Sequence, residues 1–237
     1  MVRDILVACA RRRQVRGESS ANVRRGLVGR QQACSGALCC TNARRTYPDA
    51  MPNGQKVHFT APVAARLAAT MGVGLSLYER IAALMKLHVS AYAVEVEGLF
   101  RLIVFNYLVH NGDAHVKNFS LYRDPSLNTY RLTPAYDLLN TRLHLPHESA
   151  LALDLFDNDY ETESYQRNGF FARDDFVEFG ARIGIPEQRV VRFLDELTKR
   201  AGNIDTLVSR SALPDELKMR YVELVRDRAG AVRYSYS

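Results

Sequence analysis

Residues 99–118 read Leu-Phe-Arg-Leu-Ile-Val-Phe-Asn-Tyr-Leu-Val-His-Asn-Gly-Asp-Ala-His-Val-Lys-Asn, and they decide the fold. From Leu99 to Val109 the run is almost continuously apolar, which predicts a buried helix feeding directly into the polar cluster Asn111–Asn118. Beyond it, Phe119–Tyr122 and Tyr130–Leu132 flank Asp124-Pro125-Ser126-Leu127-Asn128, a turn-rich stretch that predicts a β-hairpin. The hairpin returns the chain toward the loop and delivers Thr133-Pro134-Ala135-Tyr136-Asp137, so that Asp137 follows Asn118 by nineteen residues.

The loop contains D-x-x-x-x-N, with Asp113 and Asn118 at its ends. A protein kinase places its proton-accepting Asp and a magnesium-binding Asn at this spacing, and a further carboxylate supplies the second metal ligand. Phosphoryl transfer asks little covalent chemistry of the protein: a carboxylate for the hydroxyl proton, and hard oxygen donors for Mg²⁺ across the phosphates. Asp113, Asn118 and Asp137 are those groups in that order. The octapeptide alone also suits an Asx-rich turn that caps backbone amides. The helix before it and the hairpin and carboxylate after it favour the catalytic reading.

Together NGDAHVKNFSL (Asn111–Leu121) and LTPAYDLL (Leu132–Leu139) resemble the HipA family of bacterial serine/threonine kinases, the toxins of HipA/HipB-type toxin–antitoxin pairs. The likeness extends more loosely from about Asn53 to the C-terminus. It implies a mainly α fold, the C-terminal lobe of a protein-kinase-like structure with a small hairpin beside the catalytic loop. By the same resemblance Asp113 is the proton acceptor, and Asn118 and Asp137 are Mg²⁺ ligands. His115, Lys117, Tyr136 and Asp137 would lie beside the phosphates or base of ATP. The implied partners are a protein substrate (aminoacyl-tRNA synthetases are targets in the family) and a HipB-like DNA-binding antitoxin. The implied setting is the bacterial cytoplasm.

One departure from the family pattern bears on activity. A HipA-like kinase carries a phosphate-covering loop and a nucleotide-binding Lys ahead of this region. Gly72-Val73-Gly74 is the nearest candidate here, and between two helical patterns it reads as a helix terminator. The chain therefore resembles the C-terminal lobe only. The sequence predicts little phosphotransfer from the chain alone, and recovery when a separately encoded N-lobe is supplied. A non-catalytic remnant that keeps the fold and partner contacts is the alternative.

Charge is unevenly placed. Of the formal +6, residues 1–50 carry a net +7, with ten Arg, no Lys and only Asp4, Glu18 and Asp49 opposing them. The remainder is close to neutral, so the basic pI does not by itself indicate a nucleic-acid-binding domain. The same fifty residues hold all four Cys (Cys9, Cys34, Cys39 and Cys40), without the C-x-x-C or paired-His spacing of a zinc site. Residues 1–50 read as a disordered or out-of-frame leader and 51–237 as the lobe. Arg11-Arg12-Arg13 and Arg24-Arg25 leave nucleic-acid binding as a lower-ranked alternative, since no aromatic residue interleaves them. No run is long and apolar enough to cross a membrane, and no secretory signal is evident.

Further helices are predicted by periodicity. Thr60-Ala61-Pro62 opens one that ends near Gly72, and Ser76-Leu77-Tyr78-Glu79 is a capping box for another, with Ile81, Leu84, Met85 and His88 on one face. Thr141–Asp159 reads as a long irregular stretch in the position of an activation segment. Phe176, Phe179, Gly180 and Ile183 mark a helix stopped by Gly184; Val190, Phe193, Leu194 and Leu197 mark the next; Pro214-Asp215-Glu216 opens the last. His58, His88 and His110 lack ligand spacing and are expected on helices or loops in structural roles.

Overall fold

The computed structural model describes residues 78–123 and 129–236, together with the backbone of 56–58 and 124. The basic leader, the helix expected from Thr60 and the Gly72-Val73-Gly74 segment lie outside the described residues.

The described chain is mainly helical. Its order is β1 (Lys56–His58), α1 (Tyr78–His88), α2 (Tyr92–Leu108), a 3₁₀ turn (Val116–Asn118), β2 (Ser120–Asp124) and β3 (Thr129–Leu132). Five further helices follow: α3 (Glu163–Asn168), α4 (Arg173–Arg182), α5 (Glu187–Ala201), α6 (Ile204–Ser209) and α7 (Asp215–Arg233). The expected hairpin is β2–β3, paired with Leu121 opposite Leu132 and Tyr122 opposite Arg131. It belongs to a three-stranded antiparallel sheet, because β1 adds to the free edge of β2 with Val57 opposite Leu121. His58, expected on a helix or loop, is therefore a strand residue. Three residues are too few for a period-2 pattern to announce a strand, and pairing with β2 creates it.

Helix α2 is the axis of the molecule. From Val96 to Leu108 it is buried on nearly every side, including Leu99, Phe100, Ile103, Val104 and Tyr107, as befits an apolar run without an amphipathic stripe. Helices α1, α5 and α7 and strand β3 pack around it. On α1, Ile81, Leu84 and Met85 are buried as expected, but His88 is exposed and Val89 takes the inward position. Val89 lies four residues from Met85 and so stays over the same face, while the ring of His88 meets Tyr130 edge-on at 6.4 Å.

Residues 141–159 are irregular, as the sequence indicates, yet they are anchored. Leu151, Leu155 and Phe156 are buried, and the carbonyls of Asp154 and Leu155 accept the first N–H groups of α1, Tyr78 (3.0 Å) and Glu79 (3.3 Å). These satisfy donors that a helix start leaves open. Glu79 returns the favour by accepting from Asp157 N at 2.9 Å, and Arg80 pairs with the Asp157 carboxylate at 2.5 Å.

Two short turns support α4. Asp175, fully buried, accepts from Ala172 N at 2.6 Å and from the hydroxyl of Thr162, which itself caps α3 through Tyr165 N. Burial pushes the Asp175 carboxyl up and these donors oppose the shift. Gly180 allows α4 to close on α5, for a Cβ built there would collide with the side chain of Val190. Gly180→Ala should destabilise the protein by about 1–3 kcal/mol, measured as a lower midpoint in urea, because neither backbone can retreat without opening the core.

Candidate active site: the loop after α2 and the segment after the hairpin

Helix α2 ends at Leu108, and His110 follows in the left-handed region with φ 55°. That turn throws the chain away from the helix axis. It is held by His110 Nε2, 2.8 Å from the carbonyl of Leu224 on α7, so the ring donates from Nε2. Burial first, then the nearby Arg228 guanidinium, lowers the His110 pKa from 6.5 to about 4. The unfolded chain therefore binds a proton between these values that the folded protein refuses. Stability should fall as pH drops from 6.5 toward 4, and His110→Asn, which tolerates the left-handed backbone, should flatten the slope of unfolding free energy between pH 6.5 and 5.

The polar loop closes on itself. Asn118, at the end of the 3₁₀ turn and only 8% exposed, donates from Nδ2 to the carbonyl of Asp113 at 3.0 Å, and His115 N donates to the same carbonyl at 2.9 Å. The D-x-x-x-x-N spacing thus folds into one turn that carries both residues. Spending Nδ2 in this way leaves the Asn118 amide oxygen for another ligand. Asp113 and Lys117 are exposed, while His115 is half-buried with its Nδ1 enclosed and without a partner among the described residues. Among the described residues, neither the Asp113 nor the Asp137 carboxylate is engaged in an ion pair.

The segment after the hairpin is bound to this loop at several points. Tyr136 donates its hydroxyl to the Lys117 carbonyl at 2.7 Å and meets Ser120 Oγ at 2.6 Å, so Ser120 is the donor of that second bond. Burial raises the Tyr136 pKa, with Ser120 opposing, and the hydroxyl stays protonated for its bond to Lys117. Asp137 follows with φ 55°, a left-handed conformation rare for a residue with a side chain, and its carbonyl accepts from Asn111 Nδ2 at 3.0 Å. Thr141 completes the junction: its N–H and its hydroxyl both reach the His110 carbonyl at 3.0 Å, and its oxygen accepts from Gly112 N at 2.9 Å. Asp113, His115, Lys117 and Asn118 therefore share one turn, and Tyr136 and Asp137 are bound to its flanks.

Several supporting residues were not read from sequence. Tyr78, fully buried on α1, donates its hydroxyl to the Ala114 carbonyl at 2.9 Å and so fixes the middle of the loop from a distant helix. Thr141 and Ser120 also act across the chain, on His110 and Tyr136, whereas Asn106 acts locally on Asn111. Asn106 alone carried a signal, as an amide inside an otherwise apolar helix five residues before Asn111.

The donor set suits a hard cation. Asn118 and Asp137 offer oxygen ligands, and among the described residues no group of three or more His, Cys, Asp or Glu forms a metal site of its own. Two protein oxygens match Mg²⁺ that keeps waters and borrows phosphate oxygens, and do not match a closed structural site. A separate cavity of about 300 Å³ lies between α2, α5 and α7, walled by Leu102, Phe105 and Leu197. Its charged rim is internally paired, Glu196 with Arg200 at 2.6 Å and with Arg101 at 3.5 Å, so it offers no converging reactive groups. Among the described residues no helix is long and apolar enough to cross a membrane.

Known proteins similar to this chain include two named as kinases. A protein of Haemophilus influenzae named "Putative kinase" is 27% identical over 145 residues, covering 58% of this chain and 42% of its own length. "Putative kinase Y4dM" of Sinorhizobium fredii is 29% identical over 114 residues, 48% of this chain and 26% of its own. The chain thus spans less than half the length of these curated relatives. A solved complex of Shewanella oneidensis HipA with HipB and operator DNA includes a chain with 20% identity and a TM-score of 0.48, covering 67% of this chain and 36% of that one. The family model of the HipA-like C-terminal domain matches residues 60–204, more than half of the chain and all of the loop, hairpin and Asp137. With the loop, hairpin and following carboxylate all inside that match, this protein belongs to the HipA-like C-terminal domain family.

Proposed function

We propose that the chain is the catalytic lobe of a HipA-like protein serine/threonine kinase, transferring the γ-phosphate of ATP to a Ser or Thr hydroxyl of a protein. The observation that supports this best is the joining of the two segments: Asn111 to the Asp137 carbonyl at 3.0 Å and Tyr136 to the Lys117 carbonyl at 2.7 Å. These bonds bring the Asp137 backbone against the turn that carries Asp113 and Asn118, the arrangement a metal–nucleotide site needs.

In this reading Asp113, exposed at the head of the turn, accepts the proton of the attacking hydroxyl. Asn118 and Asp137 would hold Mg²⁺, which would neutralise charge on the phosphates. Lys117 would supply a compact ammonium near the transferred group, and His115 a second donor from the same turn. Tyr136 braces the turn through its hydroxyl, and its ring would lie beside the nucleotide. The cofactors are ATP and Mg²⁺. The partners are a protein substrate such as an aminoacyl-tRNA synthetase, a HipB-like DNA-binding antitoxin, and an N-terminal lobe that covers the nucleotide.

Calorimetric titration of ATP into the purified chain tests the reading. Affinity should rise when Mg²⁺ is added, and Asp137→Asn or Asn118→Ala should remove that increase. Tight Mg²⁺ binding without nucleotide would overturn the assignment, since two protein ligands cannot dehydrate the ion alone. ATP binding indifferent to Mg²⁺ would favour a non-catalytic remnant.

A further inference from the structure

Asn111 and Asn106 are 1% and 2% exposed. Asn111 Nδ2 has two hydrogens and both are used, one on Asn106 Oδ1 at 3.0 Å and one on the Asp137 carbonyl at 3.0 Å. Because a backbone carbonyl can only accept, the amide orientation is determined. The cost is that Asn111 Oδ1 is enclosed with no partner among the described residues. A buried acceptor left unpaired is a poor choice for stability alone, so the value of this amide lies in what its nitrogen holds.

What it holds is Asp137, whose left-handed backbone is uncommon for a residue with a Cβ, though Asp adopts it more readily than most, and which neighbours hold in place. Three anchors do so. Tyr136 on one side is bonded to Lys117, Leu138 on the other packs against Phe105 and Val109, and the Asp137 carbonyl itself is taken by Asn111. With these three points set, the direction in which the Asp137 Cβ leaves the backbone is set as well. Asn106, on the rigid α2, supplies the fixed end. We infer that Asn111, seated on Asn106, is a positioning residue for the metal–nucleotide site: it holds the backbone at Asp137 and thereby tunes divalent-cation affinity without touching the ligand.

The inference rests on the phosphotransfer reading, and the experiment separates the two. ATP is titrated into the full chain with and without Mg²⁺, for wild type, Asn111→Ala, Asn106→Ala and Gly180→Ala. Loss of a residue that orients a metal ligand commonly weakens metal-dependent binding by about 10–100-fold. Asn111→Ala should lose that much affinity for ATP in Mg²⁺ and none without it, and Asn106→Ala should fall the same way to a smaller extent. Gly180→Ala lowers stability at the α4–α5 contact and should leave the effect of Mg²⁺ unchanged, which separates positioning from general loosening. Should Asn111→Ala not fold, Asn106→Ala, which removes one bond and leaves the Asp137 carbonyl paired, decides the matter. Wild-type Mg²⁺ dependence in both asparagine variants overturns the inference alone, as does an equal loss with and without the metal. A wild-type chain whose ATP binding ignores Mg²⁺ overturns the underlying function as well.

Discussion

Asp113→Asn is expected to cut phosphate transfer to a protein hydroxyl by at least about a hundredfold, the scale of a lost general base. The substitution keeps shape and exposure but removes the carboxylate that the proposed function makes the proton acceptor. The turn should survive, because Asn118 binds the carbonyl of residue 113 and not its side chain. ATP binding in Mg²⁺ should therefore persist in Asp113→Asn, whereas Asp137→Asn should lose the Mg²⁺-dependent gain in binding and the transfer together. The assay is radiolabelled transfer from ATP, with a complementary N-terminal lobe supplied to cover the nucleotide. Equal rates for Asp113→Asn and wild type would show that the proton leaves by another route.

The largest effect on stability is expected from Phe179→Ala. Phe179 is fully buried on α4, stacked on Phe100 of α2 at 6.1 Å and meeting Phe156 edge-on at 6.4 Å. It joins the central helix, a peripheral helix and the irregular 141–159 segment. Removing a ring from such a position costs about 3–5 kcal/mol, a large part of what a domain has. Chemical denaturation gives that number. Hydrogen exchange gives the local consequence, because Tyr78 N and Glu79 N are bonded to the segment that Phe156 anchors, and both should exchange faster. A loss below about 1 kcal/mol would mean that the site collapses around the missing ring, so that the three elements are less tightly joined than their contacts suggest.

Helices α1, α2, α4, α5 and α7 were legible because they depend on local pattern, whereas the six-residue α3 and α6 are too short to show a period. Val190, Phe193 and Leu194 fall on one face of α5 with Leu197 half-buried beside them, and Gly184, at φ 84°, ends α4 in the conformation for which glycine is favoured. The hairpin was legible from its turn residues. The loop carrying Asp113 and Asn118 was legible as a spacing, and family resemblance assigned its roles. His88 was misplaced because the end of a helix leaves its final turn free to face outward, whatever the periodicity before it.

By itself, then, the amino-acid order determined a buried helix, the polar loop after it, a hairpin and a carboxylate in fixed succession, since helix period and turn chemistry act over a few residues. Tertiary structure alone decided the rest. Whether β1 pairs with β2, whether Tyr78 reaches Ala114, and whether Asn106 and Asn111 hold Asp137 in a left-handed turn depend on packing between residues 5 to 66 positions apart. Hydrogen bonds at that range have no periodic signature, and only the close packing of α1, α2 and the hairpin brings their donors within 3 Å of their acceptors.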